Sequence, residues 1–203
     1  MDRVVVITGG SRGIGRATAI AAAARGFRIV VGYASNEAAA KEVVASIERK
    51  NGKAIAVKCD VGDEHDIMAL FKAADGFGTL GALVNNAGIV GPSARVEDMS
   101  AERIQRMMAV NVTGSILCAR EAVKRMSTRN GGEGIRVAAI RPGLIDTEIH
   151  ASGGEPDRAH RLAHMVPMQR VGTAEEIANA IVWLMSDDAS YVTSAILDVS
   201  GGR

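Results

Sequence analysis

Arg3-Val4-Val5-Val6-Ile7-Thr8-Gly9-Gly10-Ser11-Arg12-Gly13-Ile14-Gly15 decides the fold. Its first half is a continuous apolar run of strand length, which reads as a strand covered on both faces. Its second half is a turn with glycines at 9, 13 and 15. An alanine-rich helix follows, from Ile14 to Arg25, and Gly26 closes it. A strand, a glycine turn and a helix N-terminus in that order bring backbone N–H groups against a pyrophosphate with no Cβ in the way. Gly9, Ser11, Arg12, Gly13 and Ile14 are the candidate contacts. The spacing differs from the Gly-x-Gly-x-x-Gly of long-chain dinucleotide folds. A glycine turn without a ligand is the poorer reading in this position.

Outward from that stretch, strands and helices alternate. Arg28–Tyr33 reads as a second strand. Asn36 is placed to cap the next helix, with Glu37 and Lys41 at i,i+4 and Ala40, Val43, Val44 and Ile47 in one apolar stripe. Asn51-Gly52 stops it. Ala54–Val57 is a third strand, and Asp63 caps a helix carrying Ile67, Leu70, Phe71 and Ala74. Ala82–Val84 is a fourth strand. Ser100 starts the longest helix, Ile135–Ile140 is a fifth strand, Thr173 and Glu176 form a capping box, and Ala195–Val199 is the last strand. Buried strands separated by amphipathic helices predict a single α/β domain over residues 1–203. Its core is a doubly wound, Rossmann-like parallel sheet with helices on both faces.

In such a sheet the carboxyl ends of strands one, three and four lie close together at the topological switch point. Asp60 and Val61 close the third strand, and Asp60 can accept from an adenine amino group. Asn85, Ala87 and Gly88 in the turn after the fourth strand can line the adenosine and ribose. Ala34 and Ser35 follow the second strand. Taken singly, Asp60 reads as a helix-approach residue and Asn85 as a turn former. At the ends of the right strands together, they read as a site. Arg141–Thr147 leaves the fifth strand through Pro142 and Gly143, which brings Ile145 and Thr147 within reach of a nicotinamide; taken alone, the stretch reads better as an ordinary strand exit.

The composition carries few other signals. A net charge of +1 points away from nucleic acid and anionic membranes, and no apolar run has the length of a membrane span. Cys59 and Cys118 read as two buried reduced thiols, so a cytoplasmic protein is expected. His150, His160 and His164 lie in a polar segment, Glu148 to Arg170, that reads as a lid over the site rather than a metal centre. Met165, Pro167 and Met168 are candidates for an apolar substrate space.

The combination of Thr8–Gly15, Asp60, Asn85–Gly88, Asn111, Pro142–Thr147 and Ser194–Gly202 resembles the short-chain dehydrogenase/reductase family. The resemblance runs from Val4 to about Arg129 and from Ile135 to Gly202. It implies hydride transfer between NAD(P) and a small alcohol or carbonyl substrate, in a homodimer or homotetramer built partly on the long helix. It assigns Asn111 to the catalytic tetrad, where it holds a water linked to the active-site lysine. It places Ile145 and Thr147 at the nicotinamide. NAD-preferring proteins of this type carry an acid just after strand two. Here that stretch reads Tyr33-Ala34-Ser35-Asn36, and Arg12 can pair with a 2′-phosphate, so NADP is expected over NAD, with NAD still open.

One departure from the family stands out. Asn130-Gly131-Gly132 runs straight into Glu133-Gly134-Ile135, where the family carries a strand, its catalytic Ser and a helix with Tyr-x-x-x-Lys. The tyrosines of this chain, Tyr33 and Tyr191, are followed four residues on by Glu37 and Ala195. Two readings stay open. A strand-helix unit of the parent enzyme lies outside these 203 residues, or the chain is shortened and binds dinucleotide without catalysis. Intact flanks in family register favour the first. On the second, the strand from Ile135 would pair directly with Ala82–Val84, in a six-stranded sheet of order 3-2-1-4-5-6.

Overall fold

The computed structural model describes residues 3–203. Six parallel strands form, β1 (Arg3–Ile7), β2 (Arg28–Tyr33), β3 (Lys53–Lys58), β4 (Thr79–Val84), β5 (Ala138–Pro142) and β6 (Ala195–Val199). Helices α1 (Gly13–Ala24), α2 (Glu37–Glu48) and α3 (Glu64–Phe77) connect the first four. The long helix is α4 (Ala101–Met108) continued through a π-helical turn, Ala109–Thr113, into α5 (Gly114–Met126). Two short helices follow β5, α6 (Ile149–Ser152) and α7 (Arg158–Arg161), before α8 (Ala174–Met185).

The helix ends obey the local signals. Asn36 Oδ1 accepts from Ala39 N at 2.9 Å, and Asp63 Oδ1 from His65 N at 2.8 Å. Thr173 and Glu176 close a reciprocal box at the start of α8. Each exchange satisfies an N–H that the first helical turn leaves without a partner.

Two apolar layers cover the sheet. Val5, Ile7, Ile29 and Val31 face α1, α2 and α8, while Val4, Val6 and Val30 face α3 and α5. β1 and β2 therefore bury both faces, as a central parallel strand must. Cys59 and Cys118 lie in the second layer as free thiols, and burial pushes them up to about 12 and about 11.

The sheet is divided. One part has the order β3-β2-β1-β4, and among the described residues β5 pairs only with β6. The six-stranded order 3-2-1-4-5-6 expected of a closed short molecule does not form. β4 has a hydrogen-bonded neighbour on one side alone, its last four residues are only half-buried, and four of the five residues of β5 are exposed. β5 also begins three residues later than its apolar run. The Arg136 guanidinium donates to the carbonyls of Leu184 and Ser186 at the end of α8 and of Val192 beyond it, and Val137 N donates to Thr193 Oγ1. Those partners hold the backbone before Ala138 out of the ladder. Between α5 and β5, Gly132 N and Gly134 N donate to the Ser127 and Met126 carbonyls, and Glu133 pairs with Arg3 at the start of β1.

An ionic cluster ties α3 to α5. Glu121 is buried and accepts from Lys124 at 2.7 Å, Arg125 at 3.1 Å and Arg120 at 3.1 Å. Arg125 also holds Asp75, and Arg120 holds Glu64. The Lys124 hydrogen bond, opposed by burial and reinforced by Arg125 and Arg120, brings the Glu121 carboxyl from 4.5 down to about 2. A carboxyl depressed in the folded state stabilises above its unfolded pKa, and that contribution is lost as pH falls from about 4.5 toward 2. Glu121→Gln should cost about 2 kcal/mol at neutral pH, discounted for the exposure of Lys124 and Arg120. It should also flatten acid destabilisation in that window, as read by chemical denaturation at several pH values.

Candidate functional site

The glycine turn after β1 and the loop after β4 lock together. Thr8 Oγ1 accepts from Asn86 N and Ala87 N, both at 3.0 Å. Asn86 Nδ2 donates back to the Thr8 and Gly9 carbonyls at 2.9 and 3.0 Å. The approach is too close for side chains. Gly9 has φ +63°, and a Cβ there would lie 2.9 Å from Ala87 Cα. A Cβ on Gly15 would lie 2.4 Å from the Gly9 carbonyl oxygen. Two bare backbones thus meet where the N-terminus of α1 opens.

Beside this contact lies a cleft of about 530 Å³ along the carboxyl ends of the strands. Gly9, Ser11, Arg12, Gly13 and Ile14 line one wall. Ala34 and Ser35 after β2, Asp60 and Val61 after β3, and Ala87 and Gly88 after β4 line the others. Thr147 reaches it from beyond β5, its methyl within 3.3 Å of where a Gly13 Cβ would stand. These are the positions expected from the sequence.

Two expected contacts are placed elsewhere. Asn85 turns away and donates through Nδ2 to the Ser115 carbonyl of α5 at 2.9 Å, and its neighbour Asn86 takes the place on the cleft. Successive residues at a strand end point to opposite faces, so one asparagine of the pair had to leave. Ile145 is buried and bridges Gly172, and a Cβ on Gly172 would stand 2.7 Å from its Cδ1. Its side chain packs against Gly172 and does not border the cleft.

Asn111 sits in the π-helical turn. Its Nδ2 donates to the Ile89 carbonyl at 2.9 Å and its Oδ1 accepts from Ile89 N at 2.8 Å. The widened turn aims this amide at the loop after β4, beside the cleft. His150 Nε2 lies 2.9 Å from the Ile145 carbonyl, and His160 lies 3.4 Å from Asp146. No group of three metal-binding side chains occurs among the described residues.

Arg106 was not visible from the sequence as a cleft residue. From α4 its Nη2 donates to Asp60 Oδ2 at 2.7 Å, while Gly62 N donates to Asp60 Oδ1 at 2.9 Å. Partial burial raises the Asp60 carboxyl, but Arg106 and the Gly62 N–H outweigh it and hold Asp60 below its ordinary value. The Arg12 guanidinium, in contrast, has no hydrogen bond or ion pair within the described residues.

A glycine-cradled helix N-terminus at the switch point of a parallel sheet defines a dinucleotide-binding α/β protein. Residues 3–135 match the family described as short chain dehydrogenase, and residues 123–203 that described as Enoyl-(Acyl carrier protein) reductase. The chain belongs to the short-chain dehydrogenase family, whose members are oxidoreductases that bind a nicotinamide cofactor. The uncharacterized oxidoreductase YgfF of Escherichia coli is 44% identical over 98% of this chain and 99% of its own. Glucose 1-dehydrogenase 2 of Bacillus subtilis is 35% identical over 98% and 94%. The crystal structure of levodione reductase superposes with a TM-score of 0.89 at 28% identity, covering 100% of this chain and 97% of the other. The alignment with the E. coli protein spans 245 positions against a chain of 203 residues. Because 98% of this chain is aligned, about 46 of those 245 positions face no residue here. Among the described residues no helix is long and apolar enough to cross a membrane.

Proposed function

We propose that these residues are the cofactor-binding frame of an NADP(H)-dependent oxidoreductase acting on a small alcohol or ketone. The observation that carries this reading is the glycine cradle, whose bare backbone and helix N-terminus suit a pyrophosphate. Bound NADP(H) supplies or accepts the hydride. Gly9, Gly13 and the first turn of α1 hold its phosphates, Thr147 meets its nicotinamide end, and Asn111 orders the loop beside the reacting centre. Residues 148–170 serve as a lid, since Glu148 and Ile149 already border the cleft.

The choice of NADP rests on charge. Glu37, the first acid after β2, is paired with Lys41 at 2.7 Å, and Asn36 is engaged at the cap of α2. Arg12 has no hydrogen bond or ion pair among the described residues and is placed to take a 2′-phosphate in a charge-assisted bond. Arg12→Ala should weaken NADPH binding roughly tenfold and leave NADH nearly unchanged. Fluorescence titration showing equal or tighter NADH binding by the unaltered chain would count against this choice.

The long helix exposes an apolar stripe, Ile104, Met108, Val112, Ile116 and Val123. This stripe is the proposed contact with a second copy, in a dimer or tetramer. A second reading is a chain that binds dinucleotide without turnover. It is favoured by the tyrosines, since Tyr33 is buried in β2 and Tyr191 lies fully exposed, and neither borders the cleft. The two readings part at the proton donor.

A further inference from the structure

We propose that Arg106 is a positioning residue for the adenosine end of the cofactor, acting by fixing the carboxylate of Asp60. The proposal rests on the dinucleotide reading above. Asp60 is held from three sides. Its backbone N–H donates to Asp66 Oδ2 at 2.9 Å, its Oδ1 accepts from Gly62 N, and its Oδ2 accepts from Arg106 Nη2. Each carboxylate oxygen keeps a free lone pair for a ligand donor.

The Arg106 guanidinium also covers the turn that carries Asp60. A Cβ on Gly62 would stand 2.6 Å from Arg106 Nη1, 3.2 Å from Asp60 Oδ1 and 3.4 Å from Val110 Cγ2. The next turn is held just as closely, for a Cβ on Gly114 would lie 2.3 Å from the Val61 carbonyl oxygen. The Asp60–Gly62 loop is therefore clamped between α3 and the α4–α5 helix. Arg106 is the polar member of that clamp that also borders the cleft. Without it Asp60 would keep a single fixed oxygen and its carboxylate would rotate. A donor such as an adenine amino group would then meet a partner that must be ordered on binding.

The test compares Arg106→Met, Arg106→Lys and Asp60→Asn in the same chain. Probes are NADPH, NADH, ADP and reduced nicotinamide mononucleotide, with binding followed by calorimetry. Arg106→Met should weaken NADPH, NADH and ADP by a similar factor, roughly tenfold, and leave the mononucleotide unchanged. Arg106→Lys should restore part of the loss, and Arg106→Met should cost nothing further once Asp60 is Asn. A loss confined to NADPH would make Arg106 a phosphate ligand and overturn the proposal. So would an equal loss on the mononucleotide, or no loss on any probe. If the unaltered chain bound neither ADP nor the dinucleotides, the dinucleotide reading itself would fall and this proposal with it.

Discussion

A chain of these 203 residues should bind NADPH and yet show no carbonyl-dependent NADPH oxidation. Insertion between Gly132 and Glu133 of a strand-helix unit of roughly 40 residues bearing the family's Ser and Tyr-x-x-x-Lys should bring turnover. Binding depends on the turns after β1, β3 and β4, and those stand assembled around the cleft. Turnover needs an acid at the carbonyl oxygen. A tyrosine working near neutrality must drop roughly three units from its free pKa, about 4 kcal/mol supplied by a nearby cation. Neither tyrosine of this chain borders the cleft. The same insertion should raise the melting temperature by several degrees. It offers a strand to the open side of β4 and to β5. Stopped assays with a panel of ketones, alongside thermal melts of both chains, decide it. Sustained oxidation by a chain of verified 203-residue mass would sink the expectation. An insertion that leaves both activity and melting temperature unchanged would do the same.

Gly15→Ala should lower NADPH affinity at least a hundredfold while costing about 2 kcal/mol of stability. The added methyl would lie 2.4 Å from the Gly9 carbonyl oxygen, 2.5 Å from Asn86 Nδ2 and 3.0 Å from Gly10 Cα. Backbone makes two of those three contacts, and the third is the amide that pins the turn. The first turn of α1 must therefore lift away from β1, carrying its N–H groups off the phosphates. Gly76→Ala is the control. It lies inside α3 with nothing within 4 Å of a new Cβ, so it should stabilise by about 0.5–1 kcal/mol and leave binding alone. Titration and denaturation of the two variants side by side test the pair. Unchanged NADPH affinity in Gly15→Ala would mean that the glycine turn is not the phosphate cradle.

The sequence by itself determined the local chemistry. The apolar runs of β1 to β4, the caps at Asn36, Asp63 and Thr173, and the glycine turn each depend on residues a few positions apart. The unbroken apolar runs, the 3.6-residue helix stripes and the cap spacings are written directly in the chain. Most of the cleft followed, because the switch point of a parallel sheet gathers strand ends whatever the side chains are. Other features needed the tertiary structure. Whether Asn85 or Asn86 faces the cleft depends on the pleat at the end of β4 and on the Ser115 carbonyl, 30 residues away in α5. The role of Arg106 depends on a helix crossing Asp60 from 46 positions further along. Arg136 delays β5 only because the end of α8 lies beside it, with carbonyls that need donors. The division of the sheet is of the same kind. β5 carries the same apolar signal whether or not a strand stands next to it, since strand pairing is a contact between distant segments. Only the fold shows β4 and β5 each with one side unpaired.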